Sequence, residues 1–444
     1  MPENPEWQEY RLTRRVRRVI FYCFLTAFLI TVTIVLSYGS GYRFNPALWL
    51  FRQTGTISIN IEPTDARVFL NNEPVKKTLP MRLQNLLPGN YEVRLERDGF
   101  YSWQKNLPVY KKETTFVARF RLFPNANPIL IFAVPDAGVG ALNVRNDFVY
   151  RVRAAGMDEW FVRDFITGRS VRLTRRPLQD ATAVWSASGN YGVILFANDR
   201  PLFFTSTGDT FLPTVDVKNI RFDATSDSVS AITKKGAAVR FLLPSMEPVA
   251  LGPADDTMTD GERIYRLSNG ANDSAITLSR LPNPAEEPIK IKKGAYRLAA
   301  LFGETIILAD QTNERLLIVF PNQEQLKSAG TNIVAESKNN PRFAVSFGLH
   351  EIWLIDLAER QSTLLTRVAE DIKNVSFIPG TESVLVQYIA RLEIININDH
   401  EPKTKIDRVS GEEIFDALVD KKGQRATLAG QINGVNGVFT FPLQ

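Results

Sequence analysis

Two kinds of apolar patterning divide this chain. Residues 19–38 read VIFYCFLTAFLITVTIVLSY, twenty positions without a charge. A helix of that length, rising ~1.5 Å per residue, crosses a hydrocarbon layer of ~30 Å. From Thr56 onward, apolar residues instead alternate with polar ones in short stretches cut by turn residues, the period-two signature of half-buried strands. The pattern predicts one long helix followed by material that is β throughout.

The first β stretch is compact. Ile57, Ile59 and Ile61 fall on one face and Thr56, Ser58 and Asn60 on the other, until Pro63, which has no N–H for a ladder, ends the strand. A second strand over 66–70 runs into Asn71-Asn72, residues that tolerate positive φ. Residues 83–87 lead to the turn Pro88-Gly89-Asn90, and 91–95 alternate again. Asp98-Gly99 then closes a hairpin into 100–103, and a last strand over 114–122 completes a small sandwich. Tyr91, Phe100 and Trp103 could form a sugar-stacking face. They fall, however, at strand positions where so small a domain needs large rings to fill its core, and periodicity favours that role.

On these residues the segment 55–123 resembles the PEGA domain, a module of prokaryotic envelope and surface proteins. The matching positions are Gly55, then Pro63 and Ala66 in Pro63-Thr64-Asp65-Ala66, then Pro88, Gly89 and Tyr91, and finally Gly99, Phe100 and Trp103. The name-giving glycine is Asp65 here, and the Gly-x-Thr-Pro turn appears as Lys77-Thr78-Leu79-Pro80. The resemblance implies an extracytoplasmic accessory module and transfers no catalytic residue.

After 124–127, a linker by composition, a pattern of apolar strand, turn and apolar strand recurs. It restarts near Ala141, Val184, Ile220, Asp260, Leu298, Arg342, Val375 and Ala417, and the period of ~35–45 residues fits four short strands per unit. The clearest copies are 184–209, 343–366 and 375–400. Residues 128–134 (PILIFAV) can supply a fourth strand to the last unit, joining the two ends of a β-propeller and protecting an edge. This count gives eight blades, or seven if the weak unit over 257–293 is an insertion or merges with its neighbour. The copies resemble blades of the Tol-associated periplasmic propeller and its relatives. Trp185-Ser186-Ala187-Ser188-Gly189-Asn190 stands where such blades carry Trp-Ser-Pro-Asp-Gly-Lys, and Phe377-Ile378-Pro379-Gly380 keeps a trace of the same turn.

Charge sets an orientation. Arg11, Arg14, Arg15, Arg17 and Arg18 precede the apolar run, while Arg43 and Arg52 follow it closely. The positive-inside bias therefore puts the N-terminus in the cytoplasm and everything after about residue 39 outside. The apolar core is longer than the ~7–15 residues of a cleavable signal, and 37–41 is a poor cleavage site, so the run reads as an uncleaved signal anchor. Tyr38, Tyr42, Phe44, Trp49 and Phe51 form an interfacial aromatic collar, with a short packed helix as the alternative for Trp49 and Phe51. The formal charge of +5 and pI near 9.1 do not mark a nucleic-acid surface. Five tail arginines against Glu3, Glu6 and Glu9 leave two of those charges at the N-terminus, and the remaining lysine pairs are scattered. The one cysteine, Cys23, lies inside the apolar run, which excludes an intrachain disulfide and a CxxC metal knuckle.

Catalytic patterns are missing. No GxSxG, GxxxxGK[ST] or HExxH occurs, and the two histidines, His350 and His400, end polar turns. The acidic run 255–262 could hold calcium but lacks EF-hand spacing, so it reads as a solvated interblade loop. Asp223, Asp310 and Asp356 end strands, where aspartate is usually a turn former, and they are the candidates if the propeller is a hydrolase or lyase.

The chain therefore reads as a cytoplasmic basic tail (1–18), a transmembrane helix (19–38) and a juxtamembrane segment (39–54). These are followed by a PEGA-like β-sandwich (55–123), a linker (124–127) and a seven- or eight-bladed propeller (128–444). The fold class is all-β apart from one helix, and no catalytic, cofactor or metal residue is assigned. The expected function is non-enzymatic, a protein of a prokaryotic plasma membrane presenting a propeller to a protein, peptide or envelope polymer. The alternatives are a propeller hydrolase or lyase and a structural spacer in an envelope or secretion assembly.

Overall fold

A computed structural model describes residues 13–39, 42–45, 50–134, 137–143, 145, 147–223, 226–261, 263–270, 274–280, 289–336, 341–397 and 404–444. The apolar run forms a helix, Arg14–Gly39, that buries none of its residues. Thr26 and Thr33 donate their hydroxyls to the carbonyls of Tyr22 and Leu29, each at 2.8 Å, so these polar groups are satisfied within the helix. Arg14, Arg15, Arg17 and Arg18 occupy its N-terminal end; Arg11 lies outside the described residues. Tyr42–Asn45 and Leu50–Gln53 then pair antiparallel, with Tyr42 opposite Gln53. Phe51 is thus in a strand, which overturns the short-helix alternative, because its backbone finds partners across a hairpin. Trp49 lies outside the described residues.

The chain divides into two compact units. The first, within Met1–Asp98 and Ser102–Leu122, takes in the helix and this hairpin and, among the described residues, two larger sheets. Met81–Leu86, Gly55–Glu62 and Thr114–Arg121 make one, and Glu73–Pro74, Arg67–Leu70, Gly89–Glu96 and Trp103–Val109 make the other. Gly55–Glu62 pairs in parallel with Thr114–Arg121, Ile57 opposite Thr115, so Ile57, Ile59 and Ile61 all point inward and are buried. Asn71 and Asn72 take positive φ of 50° and 68° in the turn the sequence predicts. The hairpin after Gly89–Glu96 returns at Trp103, opposite Leu95, and that strand runs on to Val109 beyond the expected 100–103.

The second unit takes in Gly99–Tyr101 and Phe123–Gln444. Among the described residues it holds eight four-stranded antiparallel sheets, the architecture of a β-propeller. In chain order their first strands are Ala137–Leu142, Ala181–Trp185, Val217–Phe222, Asp256–Asp260, Tyr296–Phe302, Asn332–Ala335, Asn374–Phe377 and Glu413–Val419. Seven sheets are meanders of four consecutive strands. In the eighth, Ile129–Ala133 from the start of the unit pairs with Val435–Pro442 at its end, Ile129 opposite Thr440.

Apolar clusters fill most of the spaces between successive sheets. Trp160 and Phe204 share one between the first and second, Phe203 and Phe241 one between the second and third, and Leu392 and Leu428 one between the seventh and eighth. Phe123 is buried in the last of these. Each such side chain contributes roughly 1.5–3 kcal/mol by leaving water. Where the third and fourth sheets adjoin, buried polar residues gather: Asp223, Ser230 and Arg240 on the third and Asp256, Thr257 and Thr259 on the fourth.

Two expectations and one alternative need correction. The restart near Arg342 is one strand late, since Phe343–Phe347 is the second strand of the sixth sheet and Asn332–Ala335 the first. Phe343–Phe347 is wholly buried whereas Asn332–Ala335 is not, so the apolar signal peaks on the second strand. The weak unit over 257–293 is a complete four-stranded sheet, Asp256–Asp260 to Ile289–Ile291. The acidic run is no solvated loop either: Asp256–Asp260 is that sheet's first strand, with Asp256, Thr257 and Thr259 buried.

Candidate cavity of the propeller

The first strands of the second to fifth sheets surround a cavity of about 510 Å³. Its walls are largely apolar, with Val184, Leu195, Ile220, Met258, Leu301 and Phe302 among them. Trp185 is fixed there by two contacts: its Nε1–H donates to the carbonyl of Ala141 at 3.1 Å, and the ring meets Phe204 edge-on at 4.9 Å. Gly192, directly opposite Phe204 in the register, leaves room for that ring, because a Cβ at 192 would overlap it.

The polar groups come from the seam between the third and fourth sheets. Asp223, at the end of Val217–Phe222, accepts the backbone N–H of Gly261 from the fourth sheet at 3.2 Å and of Ser226 at 3.1 Å, and lies 3.5 Å from Arg240. Two residues back, Arg221 reaches Asp256 at 2.9 Å. Asp256 also accepts the N–H of Leu298, in the fifth sheet, at 2.9 Å, so one buried carboxylate ties three sheets together. Burial pushes Asp256 above the ordinary carboxylate value against the pull of Arg221, and burial lowers Arg221 below the usual guanidinium value.

Several polar atoms here are unsatisfied. Nη1 of Arg221, Oγ of its cross-strand neighbour Ser230, and Oγ1 of Thr259 are buried without a hydrogen-bond partner. The carboxylate of half-buried Asp260, which closes the fourth sheet's first strand and lines the cavity, makes neither a hydrogen bond nor an ion pair among the described residues. Buried polar atoms are usually paired, so such a cluster marks a place where water or a ligand completes the bonding.

The sequence candidates separate on this geometry. Of the three strand-end aspartates only Asp223 borders the cavity. Asp310 accepts the N–H groups of Thr312 and Asn313, and Asp356 those of Ala358 and Glu359, so both build turns on other sheets. His350 is half exposed and 3.8 Å from Asp371; His400 lies outside the described residues. No group of three or more His, Cys, Asp or Glu placed to hold a metal occurs among the described residues.

The motif positions of the small module have structural surroundings. Trp103 is buried against Phe120 at 5.3 Å, and Ala66 is buried. Half-buried Tyr91 donates its hydroxyl to the carbonyl of Leu87 at 3.0 Å. Gly55 is hemmed in by the Tyr110 carbonyl and Val109, and Gly99 takes a left-handed φ of 79°. Pro63 is half-buried at the end of its strand, Pro88 and Gly89 are exposed, and Phe100 pairs with Pro124, both being residues of the second unit. The cavity residues Arg221, Thr259 and Asp260 escaped the sequence reading. The signal was there in the acidic run, but only pairing to Arg263–Asn269 shows it to be a strand.

Comparison with known proteins agrees with this division. Residues 54–121 match the PEGA domain family. No curated protein matches the chain. Among solved structures, the Dos1 propeller is similar with a TM-score of 0.50 at 10% identity, over 70% of this chain and 93% of that one. The C-terminal WD40 domain of Sif2 gives 0.47 at 14% identity, over 71% and 98%. The WD40 repeats of RRP9 give 0.43 at 12% identity, over 72% and 99%. At these identities the likeness concerns fold alone: the chain carries a PEGA domain at 54–121 and a β-propeller after it.

Proposed function

We propose that this protein is a non-enzymatic binding module, held at a prokaryotic plasma membrane by the helix Arg14–Gly39, with its propeller on the extracytoplasmic side. The arginines at the start of the helix support that orientation. Along the chain the PEGA domain falls between the anchor helix and the propeller, and the partner is a protein, peptide or envelope polymer. One observation carries the binding reading: the cavity of about 510 Å³ has apolar walls and buried polar atoms without partners, the combination that ligand sites share. The tied-up aspartates at the turns support binding over hydrolysis, since hydrolytic carboxylates must converge on one bond.

The test is site-specific photo-crosslinking in intact cells. A photoreactive residue at Val184, which lines the cavity, should give adducts with a defined envelope component, and one at Leu364, exposed on an outer strand of the sixth sheet, should not. Equal labelling from the two positions, or none from Val184, would overturn the reading. Orientation is checked separately with a membrane-impermeant maleimide on a Cys23→Ser background carrying a new cysteine at exposed Leu364. Reaction in intact spheroplasts is the expected result, and reaction only after lysis refutes the topology.

A further inference from the structure

We propose that the Asp260 end of the cavity is a cation site, which receives a protonated amine or a guanidinium carried on an apolar stem. The inference rests on the reading of this cavity as the propeller's binding site. It follows first from how charges pair around the cavity. Asp223 lies against Arg240, Arg221 against Asp256, and Arg263, the cross-strand neighbour of Asp260, is turned to the carbonyl of Gly303 and to Glu304 at 3.4 and 3.7 Å. Asp260 is left as a cavity carboxylate with no hydrogen bond or ion pair.

Position keeps that charge uncompensated. Arg221 bonds Asp256 through Nη2, at the opposite end of the strand Asp256–Asp260, roughly 13 Å along the backbone at ~3.3 Å per residue. A cation meets the carboxylate with N–H donors and opposite charge together, a neutral donor with a hydrogen bond alone, and an anionic ligand would desolvate Asp260 and be repelled by it. The remaining walls fit the stem and the charge: Met258 and Leu301 offer apolar surface, and the rings of Trp185, Phe222 and Phe302 attract a desolvated cation through their faces.

Two sources share this chemistry, a lysine or arginine side chain of a partner protein and a free organic amine. The test uses the full chain in detergent, followed by tryptophan fluorescence with Trp185→Phe as the control for signal origin. The probes are acetyl-arginine methylamide, acetyl-lysine methylamide and butylammonium, their neutral counterparts acetyl-citrulline and acetyl-norleucine methylamide, and anionic acetyl-glutamate methylamide. The cationic probes should bind about tenfold more tightly than the neutral ones, the value of a hydrogen bond to a charged group, and Asp260→Asn should remove that preference. Asp260→Glu, which keeps the charge, should retain it. Neutral probes binding as tightly as cationic ones, or an unchanged preference in Asp260→Asn, would overturn the cation site while leaving the cavity a binding site. Failure of every probe overturns both. Tighter binding of the amino-acid probes than of butylammonium identifies a protein-borne side chain, and equal binding identifies a free amine; each supports the site.

Discussion

Replacing Gly192 by alanine should destabilise the propeller, although the same change in most strands does the opposite. Glycine inside a strand costs roughly 0.5–1 kcal/mol relative to alanine because the unfolded chain loses more freedom. Gly192 has no left-handed φ to defend, so nothing in the backbone opposes the change. The obstacle is the Phe204 ring across the strand pair, which the new Cβ would overlap. Phe204 is fully buried and stands edge-on to Trp185, so it has no empty space to enter. Overpacking of this kind costs about 1–3 kcal/mol, and after the backbone gain the net loss is about 0.5–2 kcal/mol. Urea unfolding followed by near-ultraviolet circular dichroism reads both stability and the Trp185 environment. Phe204→Leu in the Gly192→Ala background should recover part of the loss, giving a coupling energy of about 1 kcal/mol between contacting sites. A stabilised Gly192→Ala protein, or strictly additive effects, would refute the packing account and with it the explanation of how Trp185 is held at the cavity wall.

Other substitutions probe the ties between sheets. Arg221→Met leaves the Asp256 carboxylate, 3% exposed, without its ion-pair partner and should cost about 3–5 kcal/mol in urea unfolding; a loss under about 1 kcal/mol would show the pair to be dispensable. Asp416 accepts the N–H groups of Leu142 and Ala417 at 2.9 Å each, yet burial holds it above the ordinary carboxylate value. The folded state therefore keeps a proton that the unfolded state releases, a stabilisation complete below the unfolded value of ~3.9 and lost as pH rises through the raised folded value. The stability of wild type minus that of Asp416→Asn should accordingly shrink as pH is raised across that window, and a gap that widens would contradict the shift. In the first unit, Gly55→Ala drives a Cβ into the Tyr110 carbonyl and Val109. Hydrogen exchange should then quicken over 55–122 by the equivalent of about 1–3 kcal/mol, with 137–444 unaffected.

Much of the architecture was legible because a strand half in and half out of water must alternate. The faces of Gly55–Glu62, the Asn71-Asn72 turn and the pairing of 129–133 with the last sheet all follow from positions of apolar and turn residues. The same logic failed where burial is two-sided. Phe343–Phe347, buried on both faces, gave a stronger signal than the true first strand of its sheet, and the repeat was placed one strand late. Asp256–Asp260 reads as a loop because its charge is local; pairing to Arg263–Asn269 makes it a strand, and the partners that allow Asp256 to be buried, Arg221 and the N–H of Leu298, lie 35 and 42 positions away.

By itself, then, the sequence determined a single apolar helix, a PEGA-like module and a run of four-stranded repeats, because periodicity, turn chemistry and span length are properties of neighbouring residues. Only the tertiary structure decided that four first strands enclose a cavity, that the seam between the third and fourth sheets is polar, and that Asp260 stands unpaired within it. Those facts depend on which distant side chains neutralise one another, and charge pairing across a ring leaves no period along the chain.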